Sequence, residues 1–370
     1  MGGFAIVLFF VSLLAIILIH EAGHYLTARG FDFRVLEYFV GFGPKLWSFR
    51  KGEIEYGVKA IPAGGYVKIA GMNPLENDVP PGDEHRAYTA KPIWQRALVI
   101  LAGPGSHFLV AGLIFAALLF FVGDLTTTSV IGTVEPTLQG APTPAARAGL
   151  QPGDEIVQIG DVAHPTPAEI GEYQRAHLGE TIPFTILRDG QTIEVMMTPV
   201  VDTIHGEDVA RIGITLEPVP LGPVAAITGG YAEVGRLSVV SVEQIGRVFG
   251  PHGVGRLFSL LFAGADRQPD DAASVVGIGQ QVGSIGSQGD WAYFFYLFGY
   301  VTLFVGLINL IPLPPFDGGH LAVLLIEKVR GRAVDMRKLI PVSAVVLSFF
   351  VLFVIATVFL DVWKPVPIQP

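Results

Sequence analysis

His20-Glu21-Ala22-Gly23-His24 sets two imidazoles four positions apart with a carboxylate between them. On a helix, positions i and i+4 face the same way, so both rings can grip one zinc ion. Glu21 is then placed to take a proton from a water at the metal and to pass it to a leaving amine. That is peptide-hydrolysis chemistry. Two histidines leave a catalytic zinc one short of its usual three protein ligands. The run Asn309-Leu310-Ile311-Pro312-Leu313-Pro314-Pro315-Phe316-Asp317-Gly318-Gly319-His320 offers Asp317 as the third. Its prolines break any helix and would present Asp317 from a loop. Plainer readings stay open: a capping or turn aspartate at 317, and a helix end at His20-Glu21 that reaches toward water. With no cysteine in the chain, a metal must be held by histidine and carboxylate, and disulfides are excluded.

The elements that must position these groups are apolar. The 370 residues are 51% hydrophobic and 15% charged, and a bilayer core about 30 Å thick needs roughly 20 apolar helical residues to cross it. Four stretches qualify: residues 4–26, 97–122, 291–311 and 341–360. The first lacks a basic leader and a small-residue cleavage site, so it is expected to be retained. Sixteen apolar or small residues precede His20 from Phe4, which sets His20 about 24 Å into the core, near its far side. Ionisable groups at that depth are costly unless they bind a metal or line a wet cavity, so they read as functional. Backbone broken by prolines is tolerated there only beside protein or water.

Ten Lys or Arg lie between Arg29 and Arg96, and five more between Lys328 and Lys338. The positive-inside rule places both loops in the cytoplasm, and both termini and residues 123–290 outside. Within the first loop, residues 46–50, a Lys51-Gly52 turn, residues 53–59 and residues 65–69 read as strands. Residues 127–218 read as short strands at 130–134, 155–159, 182–187 and 193–197, with one helix at 167–177. The run from Ala145 to Ile156, containing Gly149-Leu150-Gln151-Pro152-Gly153-Asp154, followed by Ile159-Gly160-Asp161, resembles the signature of a PDZ domain. Such a domain binds an extended peptide along a sheet edge; a folded spacer that limits access is the alternative. Residues 221–265 read as amphipathic helix, and residues 266–290 as a loop.

Taken together these motifs resemble the site-2 protease family of intramembrane metalloproteases, close to bacterial RseP-type members with one extracytoplasmic PDZ domain. The resemblance rests on His20-Glu21-x-x-His24 in the first span, Asn309-x-x-Pro312-x-Pro314 leading to Asp317-Gly318 after the third, and the PDZ-like segment between spans two and three. It implies that His20, His24 and Asp317 hold one Zn2+ per chain and that Glu21 is the catalytic base. It also implies that Asn309, with the adjoining Pro312 and Pro314, binds unwound substrate. The sheet of the first loop would dip toward the site, where an open edge could take the substrate as an added strand. The chain departs from the family pattern at Phe316, where leucine is usual, and at Ala102-Gly103-Pro104-Gly105-Ser106-His107, where the pattern ends in asparagine. His107 could hydrogen-bond as that asparagine would. His85, His164, His177, His205 and His252 lack ligand spacing, and His320 reads as a helix start or a neighbour of the site.

The expected fold class is a polytopic α-helical membrane protein. It has four transmembrane helices, a cytoplasmic membrane-associated β-hairpin or sheet, and an extracytoplasmic α+β PDZ domain. The expected divisions are residues 1–122, 127–218, 219–290 and 291–370. The expected function is zinc-dependent cleavage of transmembrane segments. By the resemblance, the substrates are single-pass proteins such as anti-sigma factors or remnant signal peptides in a bacterial cell membrane. Substrate ectodomains or peptides would meet the PDZ domain, and the lipid bilayer is a partner throughout. A net charge of -9 with no basic stripe argues against nucleic acid. A PDZ-bearing scaffold without activity is the alternative. A metal transporter would need a polar path through several spans, and spans two and four offer little beyond His107.

Overall fold

The computed structural model describes residues 2–364 except 74, 77, 125–127, 139, 205–206, 269–270, 273, 275 and 280–290. Among the described residues, four helices are long and apolar enough to cross a membrane: Gly3–Gly30, Ile93–Phe121, Trp291–Asn309 and Arg337–Trp363. They fall on the four stretches expected. The chain divides into two compact units, Met1–Phe115 with Gly230–Val366, and Ala116–Gly229.

In the first unit, helix α1 (Gly2–Gly30) runs into strands β1 (Val35–Lys51) and β2 (Ile54–Ile69). The expected β-region is present but longer and folded differently. Phe39 faces Tyr66 on one side and Gly57 on the other, while Ser48 also faces Gly57. Each long strand therefore bends and supplies two rows, with residues 65–69 and 47–50 at the edges. A first strand beginning at residue 46 leaves out residues 35–45, because Gly41, Gly43 and Pro44 look like breakers. Gly41 adopts φ 85, and a Cβ there would lie 2.7 Å from the Ile61 carbonyl oxygen. It therefore acts as a bulge inside the strand. Phe33, Val35, Ile54 and Ile69 bury against Ala28 of α1 and against Val99 and Ile100 of α2 (Ile93–Phe121), which fixes the sheet against the two helices.

The second unit packs β3 (Ile131–Val134), the short pair β4 (Thr137–Leu138) and β5 (Ala141–Pro142), helix α3 (Pro144–Arg147), β6 (Glu155–Ile159), β7 (Val162–Ala163) and α4 (Pro167–Ala176). It continues with β8 (Ile182–Arg188), β9 (Gln191–Met197), β10 (Val200–Ile204), β11 (Glu207–Arg211) and β12 (Ile214–Leu216). One sheet runs β7-β6-β8-β9, and β12 pairs with β3. Alternate residues of β8, Ile182, Phe184 and Ile186, point into a core with Ile131, Ile156, Ile159, Ile170 and Met197. Each such side chain contributes about 1.5–3 kcal/mol. Thr166 caps α4 through the Glu169 backbone N–H, and Glu169 returns a bond to the Thr166 N–H. Asp154 accepts from both Arg188 Nε and Nη2 at 2.7 Å and from the Gln151 N–H at 2.8 Å, tying the 149–154 turn to the end of β8.

Residues 221–265, expected as amphipathic helix, hold two helices, α5 (Pro223–Phe249) and α6 (Pro251–Phe262). Phe249 packs against Phe349, Phe350 and Phe353 of the final helix. Further helices are α7 (Trp291–Asn309), α8 (Asp317–Arg330) and α9 (Ile340–Trp363), and residues 276–279, expected in a loop, form a helical turn. The expected loop at 266–290 is described only in part. Its first half is anchored by Asp361, which accepts from Arg267 Nη2 at 2.8 Å, from the Ser274 N–H at 2.6 Å and from the Gly277 N–H at 3.2 Å.

Candidate active site

His20 and His24 project from one face of α1 on successive turns, with ring centroids 4.7 Å apart. Helix α2 crosses α1 closely at this level. A Cβ on Gly23 would lie 2.2 Å from the Ala102 carbonyl oxygen, and one on Gly103 would lie 2.3 Å from His24 Nε2. Glycine at both positions lets the helices meet and leaves room for the rings. The third group comes from the far end of the chain. Helix α8 opens at Asp317, whose carboxylate is favoured by the unpaired N–H groups of a helix N-terminus. Three contacts fix the start and end of α8. Glu327 accepts from Arg96 Nη1 of α2 at 3.0 Å and from the Val334 N–H at 3.0 Å. In the preceding loop, Phe316 packs edge-on against Phe350 with centroids 5.0 Å apart.

Asp317 Oδ2 lies 3.2 Å from His20 Nε2 and 3.3 Å from His24 Nε2, and the two Nε2 atoms are 3.1 Å apart. The three side chains are only 11–16% exposed. His24 Nδ1 lies 2.8 Å from the Val99 carbonyl oxygen, which can only accept, so Nδ1 carries the proton and a neutral His24 presents a lone pair at Nε2. Asp317 Oδ2 is buried without a hydrogen-bond donor. His24 Nε2 and Asp317 Oδ2 thus meet as two acceptors 3.3 Å apart, an arrangement that repels unless a cation sits between them. Tetrahedral coordination with bonds of about 2.0–2.1 Å has donor–donor edges of roughly 3.3–3.4 Å, close to the spacings observed. Among the described residues, this is the one histidine and carboxylate group so clustered.

Glu21 is half-buried beside the triad. It interacts electrostatically with His24, His20 and Asp317 and lies near the Val67 backbone N–H. A Cβ on Gly65 would lie 3.1 Å from its Cγ, so the edge row 65–69 of the sheet passes directly over it. A cavity of about 410 Å³ runs along that row, lined by Tyr66, Val67, Ile69, Pro314, Pro315 and His320, among others. The structure does not bring every expected residue to the triad. Asn309 Nδ2 donates to the Val305 carbonyl of its own helix at 3.1 Å. Pro312 is exposed and Pro314 lines the cavity. His205 lies outside the described residues. Two contributors carry no sequence motif that singles them out, the Val99 carbonyl and Gly65, while Gly103 lies in the family pattern of the second span without that pattern stating its role beside His24. The small-residue run Ala102-Gly103-Pro104-Gly105 is the available sign of a close helix crossing.

The sequence model of Peptidase family M50 matches residues 8–354. The chain belongs to this family, the site-2 proteases. It is 34% identical to zinc metalloprotease Rip1 of Mycobacterium tuberculosis over 98% of both chains. Rip1 of Mycolicibacterium smegmatis is also 34% identical, over 100% of this chain and 99% of its own. Zinc metalloprotease RasP of Geobacillus kaustophilus is 27% identical over 97% of this chain and 98% of its own. This site-2 protease is accordingly a zinc metalloendopeptidase and a polytopic membrane protein, and the scaffold without activity is set aside.

Proposed function

We propose that this site-2 protease cleaves peptide bonds within the membrane segments of single-pass proteins, anti-sigma factors or remnant signal peptides among them. His20, His24 and Asp317 hold the zinc and Glu21 serves as the base. The observation that carries the reading is the convergence, 3.1–3.3 Å apart, of two imidazole nitrogens from a helix long and apolar enough to span a bilayer with one carboxylate oxygen from the start of the shorter helix α8. Bound there, zinc supplies Lewis-acid polarisation of the scissile carbonyl and acidifies water. Glu21 takes the proton of the attacking water on a carboxylate oxygen and delivers it to the amide nitrogen as the C–N bond breaks. A helical substrate hides its carbonyls in hydrogen bonds, so it must be held extended. The 65–69 edge row beside Glu21, facing the 410 Å³ cavity, is suited to add it as a strand. In the same reading Asn309 and Pro312 bind the unwound substrate together with Pro314, which lines that cavity.

In this reading the β-region and the loop after α8 are cytoplasmic, and residues 127–218 form an extracytoplasmic PDZ domain that meets substrate ectodomains. The turn fastened by Asp154 and Arg188, the capped helix α4 and the β7-β6-β8-β9 sheet support that assignment. The test is cleavage of a tagged single-span protein in reconstituted membranes by wild type and by Glu21→Gln. Loss of cleavage in the variant with zinc retained at one per chain is expected. Undiminished cleavage by Glu21→Gln would remove the base assignment.

A further inference from the structure

His24 and His20 are held from behind by different kinds of partner. The Val99 carbonyl behind His24 can only accept. Behind His20 lies another imidazole, with His107 Nε2 2.9 Å from His20 Nδ1, and an imidazole nitrogen can either donate or accept. The site removes that freedom. For His20 Nε2 to face Asp317 Oδ2 and the ion as a lone pair, the His20 proton must sit on Nδ1. It then donates to His107, whose Nε2 must accept and whose own proton lies on Nδ1. His107 is fully buried, its ring 5.0 Å from that of His20, and its Nδ1 has no hydrogen-bond partner among the described residues. The bond to His20 is therefore the polar contact that the buried ring makes. The backbone accommodates the ring closely, because a Cβ on Gly306 of α7 would lie 2.7 Å from His107 Cβ.

We propose that His107 is a positioning residue for the metal centre: its Nε2 accepts from His20 Nδ1–H and so fixes the tautomer and ring orientation that leave His20 Nε2 free for zinc. Helix α2 thereby orients both ligand histidines of α1, one through a main-chain carbonyl and one through a side chain. Partners of this kind raise ligand basicity, and their removal typically weakens metal binding 10–100-fold. The functional property is the acceptor, so an asparagine, whose amide oxygen also accepts, substitutes for it. The proposal rests on the reading of His20 as a ligand.

The test uses the full chain in detergent, with the zinc dissociation constant measured by chelator competition and the visible absorption of the cobalt-loaded protein recorded alongside. Wild type is compared with His107→Leu, His107→Ala, His107→Asn and His20→Ala. Zinc affinity is expected to fall about 10–100-fold in the Leu and Ala variants, with a changed cobalt spectrum, and to recover to within about threefold in the Asn variant. If His107→Leu does not fold, the contrast between Ala and Asn decides in the same way. Unchanged affinity in the acceptor-free variants, or an Asn variant as weak as they are, overturns the proposal while a weakened His20→Ala leaves the ligand reading standing. Undiminished zinc binding by His20→Ala overturns both.

Discussion

A lone pair on His24 Nε2 is forced by the Val99 carbonyl behind it, and Asp317 Oδ2 faces that lone pair at 3.3 Å. Removing the negative charge at 317 while keeping the shape should therefore cost metal binding far more than fold. Asp317→Asn is expected to lower zinc affinity by more than the 10–100-fold typical of losing an outer partner, measured by chelator competition. Retained wild-type affinity would mean that Asp317 caps α8 and does not hold the ion. At this scale much is legible in the sequence. The i, i+4 spacing of His20 and His24, their depth in an apolar span and the carboxylate after a proline break all lie in the chain itself. Their surroundings are not legible there. Val99 contributes a main-chain atom, which its side-chain identity does not advertise, and Gly103 contributes the absence of a side chain. Asn309 shows the opposite limit: the motif singles it out, yet its side chain pairs with Val305 of its own helix.

At the scale of elements, the α1–α2 crossing is set by Gly23 and Gly103, so a methyl group there acts as a wedge between helices. Gly103→Ala is expected to abolish high-affinity zinc binding while leaving the helical circular dichroism intact; unchanged zinc binding would show that the crossing has slack. Asp361 is a second joint, 1% exposed against Arg267 at 3%. Asp361→Ala leaves a buried guanidinium uncompensated, a loss of about 3–5 kcal/mol that should appear as a lower unfolding midpoint in detergent. In the second unit, the Arg188 guanidinium bonded to Asp154 holds that carboxyl below the usual range, against the opposing effect of burial. A depressed carboxylate stabilises above its unfolded pKa and loses that contribution as the pH falls through its folded one. The second unit should thus lose stability below about pH 4, and Asp154→Asn should flatten that dependence in pH-scanned unfolding. The strands of this unit are legible because alternation in β8 and the turn residues around it follow simple rules. The rows of β1 are not, because a bulged glycine and a breaking glycine look the same in sequence.

Over the whole molecule, the chain brings residues 20–24 and 317 together through contacts that no local pattern encodes. Arg96 to Glu327 and Phe316 to Phe350 join segments distant in sequence and set where α8 begins. The four apolar spans are readable from length and composition alone, whereas their mutual placement depends on these long-range pairs. The edge row 65–69 reaches Glu21 by the same logic, since it depends on the sheet doubling back across α1. In the proposed site, two histidines and one aspartate from opposite ends of the chain share a zinc ion in the membrane. Zinc-edge X-ray absorption of the purified full chain tests it most directly, with His24→Ala and Asp317→Asn alongside. The expected result is one zinc per chain in wild type with two imidazoles and light oxygen donors, one imidazole lost in His24→Ala, and an altered oxygen shell in Asp317→Asn. A wild-type chain without zinc, or the same coordination shell in all three proteins, would contradict it.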